Sequence, residues 1–378
     1  MIYLDNSATT RVSEAAAKAA LDCMTEGYFN PSALYPPALE AERRMQACRQ
    51  AILREVRAPE KSQVIFTSGG TEADNLAALG GLSGLRGGVA LYSAGEHPAV
   101  REACQALRNV ETAEIPLAPD GRVSLPGLEA LLTPETRLIC VMQVNNETGA
   151  VMPLAEIAAL RDRVCPDALL HVDGVQGFLR VPFDMKAVGA DSSALSGHKI
   201  HAPKGVGALV LGPRARVTPR QVGGGQERAL RSGTENTPGI AALLAAIEHY
   251  PRERDTRAVK LALLNAVRAG IPDAVVNGPD PASALSAPHI LNLSLPPVRS
   301  ETMLHALEGD QIYVGLGSAC SSHKQKVSRV LRAMGISGQR AESAIRFSLC
   351  PDNTAEEMTI AAAALGRHYA LLKKYVRR

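Results

Sequence analysis

The chain has 378 residues, 46% hydrophobic and 21% charged, which excludes a disordered or fibrous protein and allows a large core, read here as two domains. Its 41 basic and 38 acidic residues leave a net charge of +3, and aromatics make up 3%, so a nucleic-acid binder's charge and stacking surfaces are missing. The opening MIYLDNSATT has no basic segment followed by an apolar one, and the longest apolar runs, such as IAALLAAI at 240–247, are too short to span a membrane. Seven cysteines, scattered without CxxC pairs, fit a reducing cytoplasm rather than a disulfide framework or a zinc cage.

In chain order, apolar runs alternate with helical patterns. QVIFTS (63–68) precedes the helical TEADNLAALGG, GVALYS (88–93) precedes HPAVREACQAL, and RLICVMQVN (137–145) precedes PLAEIAALRDRV. ALLHVDG (168–174), SSALSG (192–197) and GVGALVLG (205–212) follow as further strands. This alternation predicts an α/β fold with a mostly parallel sheet, which gathers ligands at the carboxyl ends of its strands. A helix-rich stretch near 241–270 leads into an α+β region containing strands HILNLSL, IYVGLG and SAIRFSLC and helices ETMLHALEG, KVSRVLRAMG and TAEEMTIAAAALGRHYALLKKY. The expected division is a large domain over 13–254 and a smaller one formed by 1–12 with 255–378.

Four stretches carry residues suited to chemistry. In SGGTEADN a glycine turn after a strand opens a helix at Thr71; the backbone N–H groups there can cradle a phosphate, although Thr71 with Asp74 also fits a plain helix cap. It is neither a Walker loop nor a dinucleotide fingerprint. In HVDGVQ, Asp173 ends an apolar strand with Gln176 one turn on; a buried carboxylate needs a partner, whether a cap, a salt bridge or a protonated ring nitrogen. In LSGHKIHAPKGVG, Lys199 follows a strand, where apolar surroundings lower an amine's pKa and make it nucleophilic. Lys204 reads as a solvated loop residue, and His198 and His201 lack further ligands at metal spacing. Phosphate cradle, acid and amine together match the three handles of pyridoxal 5'-phosphate. His97, after GVALYS, is placed to lie against its ring or to start a helix. Cys320, in GLGSACSSHKQK among glycine, serine and cationic neighbours, reads as the reactive thiol; Cys350 is a weaker rival and the others read as core.

The motifs YLDNSATT, TSGGTEADNLA, GEHPAV, VNNETGAV, HVDGVQ, LSGHKIHAPKGVGAL, GGGQERALRSGTEN, ILNLSL, GSACSS, VLRAMG and AIRFSL occur in order along almost the whole chain. In them the sequence resembles the cysteine desulfurases of the NifS/IscS kind (group I), class V pyridoxal-phosphate enzymes of fold type I. The resemblance implies a sulfurtransferase that takes sulfur from L-cysteine, leaves L-alanine and holds a persulfide on Cys320. It passes that sulfur to an acceptor protein, for iron–sulfur cluster assembly or for thiolation. By the same resemblance Lys199 carries the cofactor covalently, Asp173 pairs with the pyridine nitrogen, Gln176 meets the ring hydroxyl and His97 stacks on the ring. Gly70, Thr71, Ser196 and His198 bind the phosphate, joined by Thr234 from the other subunit of a homodimer. Asn146 contacts cofactor or substrate and Arg346 clamps the substrate carboxylate, a bidentate task for which a guanidinium is suited. The loop 318–328 is expected to move, since its thiol visits both cofactor and acceptor.

Three departures stand out. NPSALYPPALEAE has Tyr35 and Pro37 where relatives have NPSSxHxxG, Ala202 replaces a usual glycine, and KKYVRR leaves a short tail where some relatives bind a cluster scaffold. Two other readings are a related class V enzyme, such as a selenocysteine lyase or an aminotransferase, and a scaffold without catalysis in a sulfur relay. The thiol loop argues against transamination and the full set of cofactor handles against the scaffold.

Overall fold

A computed structural model describes residues 1–84, 86–317 and 327–375. Its strands are β1 Ile2–Leu4, β2 Gln63–Thr67, β3 Val89–Ser93, β4 Glu111–Ile115, β5 Thr136–Met142, β6 Leu169–Asp173, β7 Ser192–Ser196, β8 Gly207–Leu211, β9 Val275–Val276, β10 Ile290–Ser294, β11 Ile312–Val314 and β12 Ala344–Ser348. The central sheet has the order β2-β8-β7-β6-β5-β3-β4. Every neighbouring pair from β7 to β4 is parallel, and β8 runs antiparallel to both β2 and β7. Strands β7 and β8 are buried at every position, as expected for strands covered on both faces. Each fully buried Leu, Ile or Val there contributes about 1.5–3 kcal/mol. The carboxyl ends of β2, β3, β5, β6 and β7 consequently share one edge, and each leads directly into a stretch singled out above.

Two large apolar clusters flank different sheets. One packs Ile139, Val141, Val172, Leu195 and Val210 of the central sheet against Met45 and Ile52 of the helix Pro36–Glu55 and Leu243 of the helix Thr237–Glu248. The other joins Ile2 and Leu4 of β1 to Leu291, Leu293, Ile345 and Phe347, beneath the helices Thr256–Gly270 and Ala355–Leu372. Strand β1 lies parallel to β11, and the backbone continues past it so that Asp5 bridges Ser348 of β12. The N-terminal segment is thereby carried across to the edge where Lys199 lies.

The altered segment NPSALYPP is a helix entry. Tyr35 occupies the N-cap of Pro36–Glu55 with proline in the first turn, where a missing N–H costs nothing. Tyr35 packs edge-on against Phe29, which stacks on Tyr28 at a centroid distance of 4.5 Å. Among the described residues, no helix is long and apolar enough to cross a membrane.

Candidate active site

The turn after β2 enters the helix Gly70–Asn75 with Gly69 at its N-cap and no side-chain cap. Thr71 and Asp74 therefore do not form the cap that their spacing allowed. Asp74 is buried and accepts or shares a proton with His171 Nε2 at 3.1 Å, while His171 Nδ1 meets Ser192 Oγ at 2.8 Å. Thr71 is exposed, with its side chain open to a ligand. Gly70 permits close packing: a Cβ there would stand 2.5 Å from Val175 Cγ2, which would have to shift, and 3.6 Å from Ser196 Cβ. Gly207 on β8 allows a similar approach, since its Cβ would lie 2.7 Å from Gly69 Cα. Gly70, Thr71 and Ser196 are thus gathered at the ends of β2 and β7.

Asp173 closes β6 and is 6% exposed. Its Oδ1 accepts the Val175 N–H at 2.9 Å. Burial, and the neighbouring Asp74, push its carboxyl up to about 7. Among the described residues no lysine or arginine forms an ion pair with it, so a buried acid is left with capacity for one cation. Glu96 lies nearby with Oε1 accepting Met142 N–H at 2.9 Å; burial and the Asp173 charge hold it well above the usual carboxylate range. His97 caps the helix Pro98–Gln105, its Nδ1 accepting Ala99 N–H at 3.2 Å. This fixes the tautomer with the proton on Nε2. Burial lowers its pKa against the opposing pull of Asp173, with Lys199 lowering it further. It is therefore a neutral ring near both.

Lys199 follows β7 in the turn Gly197–Lys199. Its Nζ donates to the carbonyl oxygens of Ser7 at 2.6 Å and Ala8 at 2.8 Å. Burial, then Arg180 and Arg346, lower the amine to about 8. His198 Nδ1 meets Thr9 Oγ1 at 3.1 Å, and burial, with Lys199 and Lys204 nearby, lowers the ring to about 4. Lys204 is exposed. Gln176 Nε2 donates to Ser7 O at 3.0 Å and its Oε1 accepts from Arg180 at 3.2 Å. Gln176 and Lys199 are therefore tied to the same N-terminal backbone.

Arg346 on β12 is 2% exposed. Nη2 donates to Asp5 Oδ1 at 2.7 Å, Nη1 to the Asn146 carbonyl at 3.0 Å, and among the described residues Nε has no partner. Asn146 and Arg346 are thus in contact, and the guanidinium is already held by a carboxylate. Thr234 is exposed in the loop before the helix Thr237–Glu248, and among the described residues no hydrogen bond joins it to this site. Cys320 lies outside the described residues.

Sequence reasoning missed Arg180, which donates to the Lys199 carbonyl, and Asp5, Glu96 and Glu147. Glu147 is buried; its carboxylate accepts the Ser328 hydroxyl, and a Cβ on Gly317 would lie 2.3 Å from its Oε2. The alternation HVD signals that His171 and Asp173 share a face, whereas nothing local signals Asp5 or Arg180.

This donor set fits pyridoxal phosphate: an amine of lowered basicity, a buried acid lacking a cation, and a glycine cradle, all on one sheet edge. Comparison with known proteins agrees. Residues 2–360 match the family model for Aminotransferase class-V. A cysteine desulfurase of Trichormus azollae is 37% identical over 93% of this chain and 88% of its own. The cysteine desulfurase IscS of Anaeromyxobacter dehalogenans is 36% identical over 99% and 93%. A solved NifS-like protein superposes with a TM-score of 0.88 at 29% identity, covering 98% of this chain and all of the other. The chain belongs to the class-V aminotransferases, a pyridoxal-phosphate-dependent family of fold type I, and within them to the cysteine desulfurases.

Proposed function

We propose that this enzyme takes sulfur from L-cysteine, releases L-alanine and carries the sulfur as a persulfide on Cys320. The observation that supports this best is the pairing of Lys199 and Asp173 at the ends of adjacent strands. One is an amine lowered to about 8 and the other a buried acid that, among the described residues, pairs with no lysine or arginine.

Lys199 would hold the cofactor, Asp173 would face its ring nitrogen, and Gln176 would face its ring hydroxyl. Gly70, Thr71, Ser196 and His198 would surround its phosphate. When bound, pyridoxal phosphate supplies the electron sink that lets the substrate Cα give up its proton. The Lys199 amine, basic enough to accept that proton and acidic enough to return it near neutrality, is the group placed to move it. Asp173 as an anion stabilises positive charge opposite it in a dry setting. His97 covers the same space as a neutral ring and excludes water. Arg346, with Asn146 beside it, orients the substrate carboxylate by exchanging Asp5 for it. The Cys320 thiolate then attacks the substrate sulfur. An S–S bond forms, the C–S bond breaks with its electron pair on carbon, and protonation gives alanine, so that one cysteine and one thiol yield one alanine and one persulfide.

The thiol would pass its sulfur to a protein acceptor that serves cluster assembly or thiolation. We read the enzyme as a cytoplasmic homodimer, supported by the free thiol state of all the described cysteines and by Thr234, which is exposed and makes no hydrogen bond among the described residues. The division into 13–254 and 1–12 with 255–378 belongs to the same reading. The Cys320→Ser variant tests it: the yellow cofactor band should remain while sulfide release with a thiol reductant is lost. Full sulfide release in that variant would remove Cys320 from the mechanism.

A further inference from the structure

A cleft of about 340 Å³ opens between the turn Leu179–Pro182, the segment Tyr250–Arg257 and Ser286–His289, with Arg180 in its lining. Four arginines line it: Arg180, Arg252, Arg254 and Arg257. Arg252 is paired with Glu55 and Arg254 with Asp352. Among the described residues no carboxylate pairs with Arg180 or Arg257; Arg257 donates only to the carbonyls of Pro281, Ser283 and Ser286. Asp255, the one acid among the described lining residues, is committed to the helix Thr256–Gly270, its Oδ1 accepting Ala258 N–H at 3.0 Å.

The independent observation is His289. It lines the cleft, is 2% exposed, and among the described residues neither ring nitrogen has a hydrogen-bond partner. A buried imidazole with both nitrogens unused costs free energy unless something in the cleft bonds it. Burial, then Arg180 and Lys260, hold it well below the ordinary histidine range, so one nitrogen is a neutral donor. Lys260, fully buried, adds a further amine behind Ser286, donating to Ser286 Oγ at 2.9 Å and Ala287 O at 2.7 Å. Guanidinium groups with spare donors, a neutral N–H and no free acid select a compact anion with several oxygens.

We infer that this cleft, whose lining includes none of the residues given to the cofactor, binds a small phosphate dianion, either free phosphate or a phosphate monoester. The space exceeds that of one water several-fold, so a ligand larger than solvent fits.

The test titrates cofactor-loaded enzyme, whose own phosphate cradle is filled. Inorganic phosphate and glycerol 3-phosphate serve as probes in calorimetry and phosphorus NMR, with chloride at matched ionic strength as the control. One saturable site per chain is expected. Arg257→Gln should weaken it about tenfold, the loss of one charge-assisted contact. Arg254→Gln, at a half-exposed position that leaves packing intact, should weaken it about threefold. Arg329→Gln, outside the cleft, should leave it unchanged. Tighter binding of glycerol 3-phosphate than of inorganic phosphate would assign a monoester, and the reverse order free phosphate. Absence of saturable binding, or equal affinity in wild type and both cleft variants, would overturn the inference and leave His289 to water.

Discussion

Replacing Asp5 by asparagine separates two roles of Arg346. In the structure the guanidinium is 3% exposed and the Asp5 side chain 21%, with Nη2–Oδ1 at 2.7 Å. Two unit charges ~4 Å apart attract by about 4 kcal/mol at an effective dielectric near 20; most of that is offset by desolvation on folding. The Asp5→Asn side chain keeps the acceptor oxygen and loses the charge, so the expected stability loss is about 1–1.5 kcal/mol, the difference between a hydrogen bond to a charged group and a neutral one. A substrate carboxylate that displaces Asp5 must overcome that same bond. With the charge gone, the KM for cysteine should fall about five- to tenfold, equivalent to roughly 1–1.4 kcal/mol, with kcat nearly unchanged. Steady-state alanine production read alongside urea unfolding measures both. A KM that stays constant or rises would mean that substrate does not compete with Asp5 for Arg346, and the exchange would be wrong.

Gly70→Ala should leave the fold intact and weaken cofactor retention about tenfold, because the new Cβ meets Val175 Cγ2 at 2.5 Å and pushes the cradle open; dialysis followed by absorbance measures it. Glu147 gives a pH prediction. Burial, offset in part by Ser328 and Arg346, raises its carboxyl from 4.5 to about 7. The folded state then binds the proton more tightly than the unfolded one, so stability falls as pH rises from about 4.5 to 7 and levels off above. The span corresponds to about 3 kcal/mol. Glu147→Gln should flatten this part of the stability–pH curve, and an unaltered slope in denaturant titrations would count against the assignment.

The central strands were legible because a parallel sheet covered on both faces forces continuous apolar runs, as in LICVM of β5. Their ends then announced Asp173, Ser196 and Lys199. Edge strand β4, ETAEI, was missed because only Ile115 is buried and an edge imposes no apolar pattern. The antiparallel course of β8 was equally hidden, since periodicity carries no direction. The helices Glu14–Thr25 and Pro36–Glu55 went unread; the second begins at two prolines, which sequence alone treats as a break as readily as a start. In the candidate site, residues carried by local motifs were visible and those that reach it from across the chain were not. Asp5 reaches Arg346 over 341 positions, and the Ser7 and Ala8 carbonyls that hold Lys199 belong to the backbone, which carries no side-chain signature. Arg180 carried no signal in the sequence; only the fold brings it to the Lys199 carbonyl and to the lining of the arginine-rich cleft.

The covalent role of Lys199 is tested most directly by reducing the purified, cofactor-loaded enzyme with borohydride and mapping the tryptic peptides by mass. The pyridoxyl group is predicted on Lys199 alone, with the yellow band lost in step. Label on Lys204, Lys260 or another amine, or no label at all, would contradict the account.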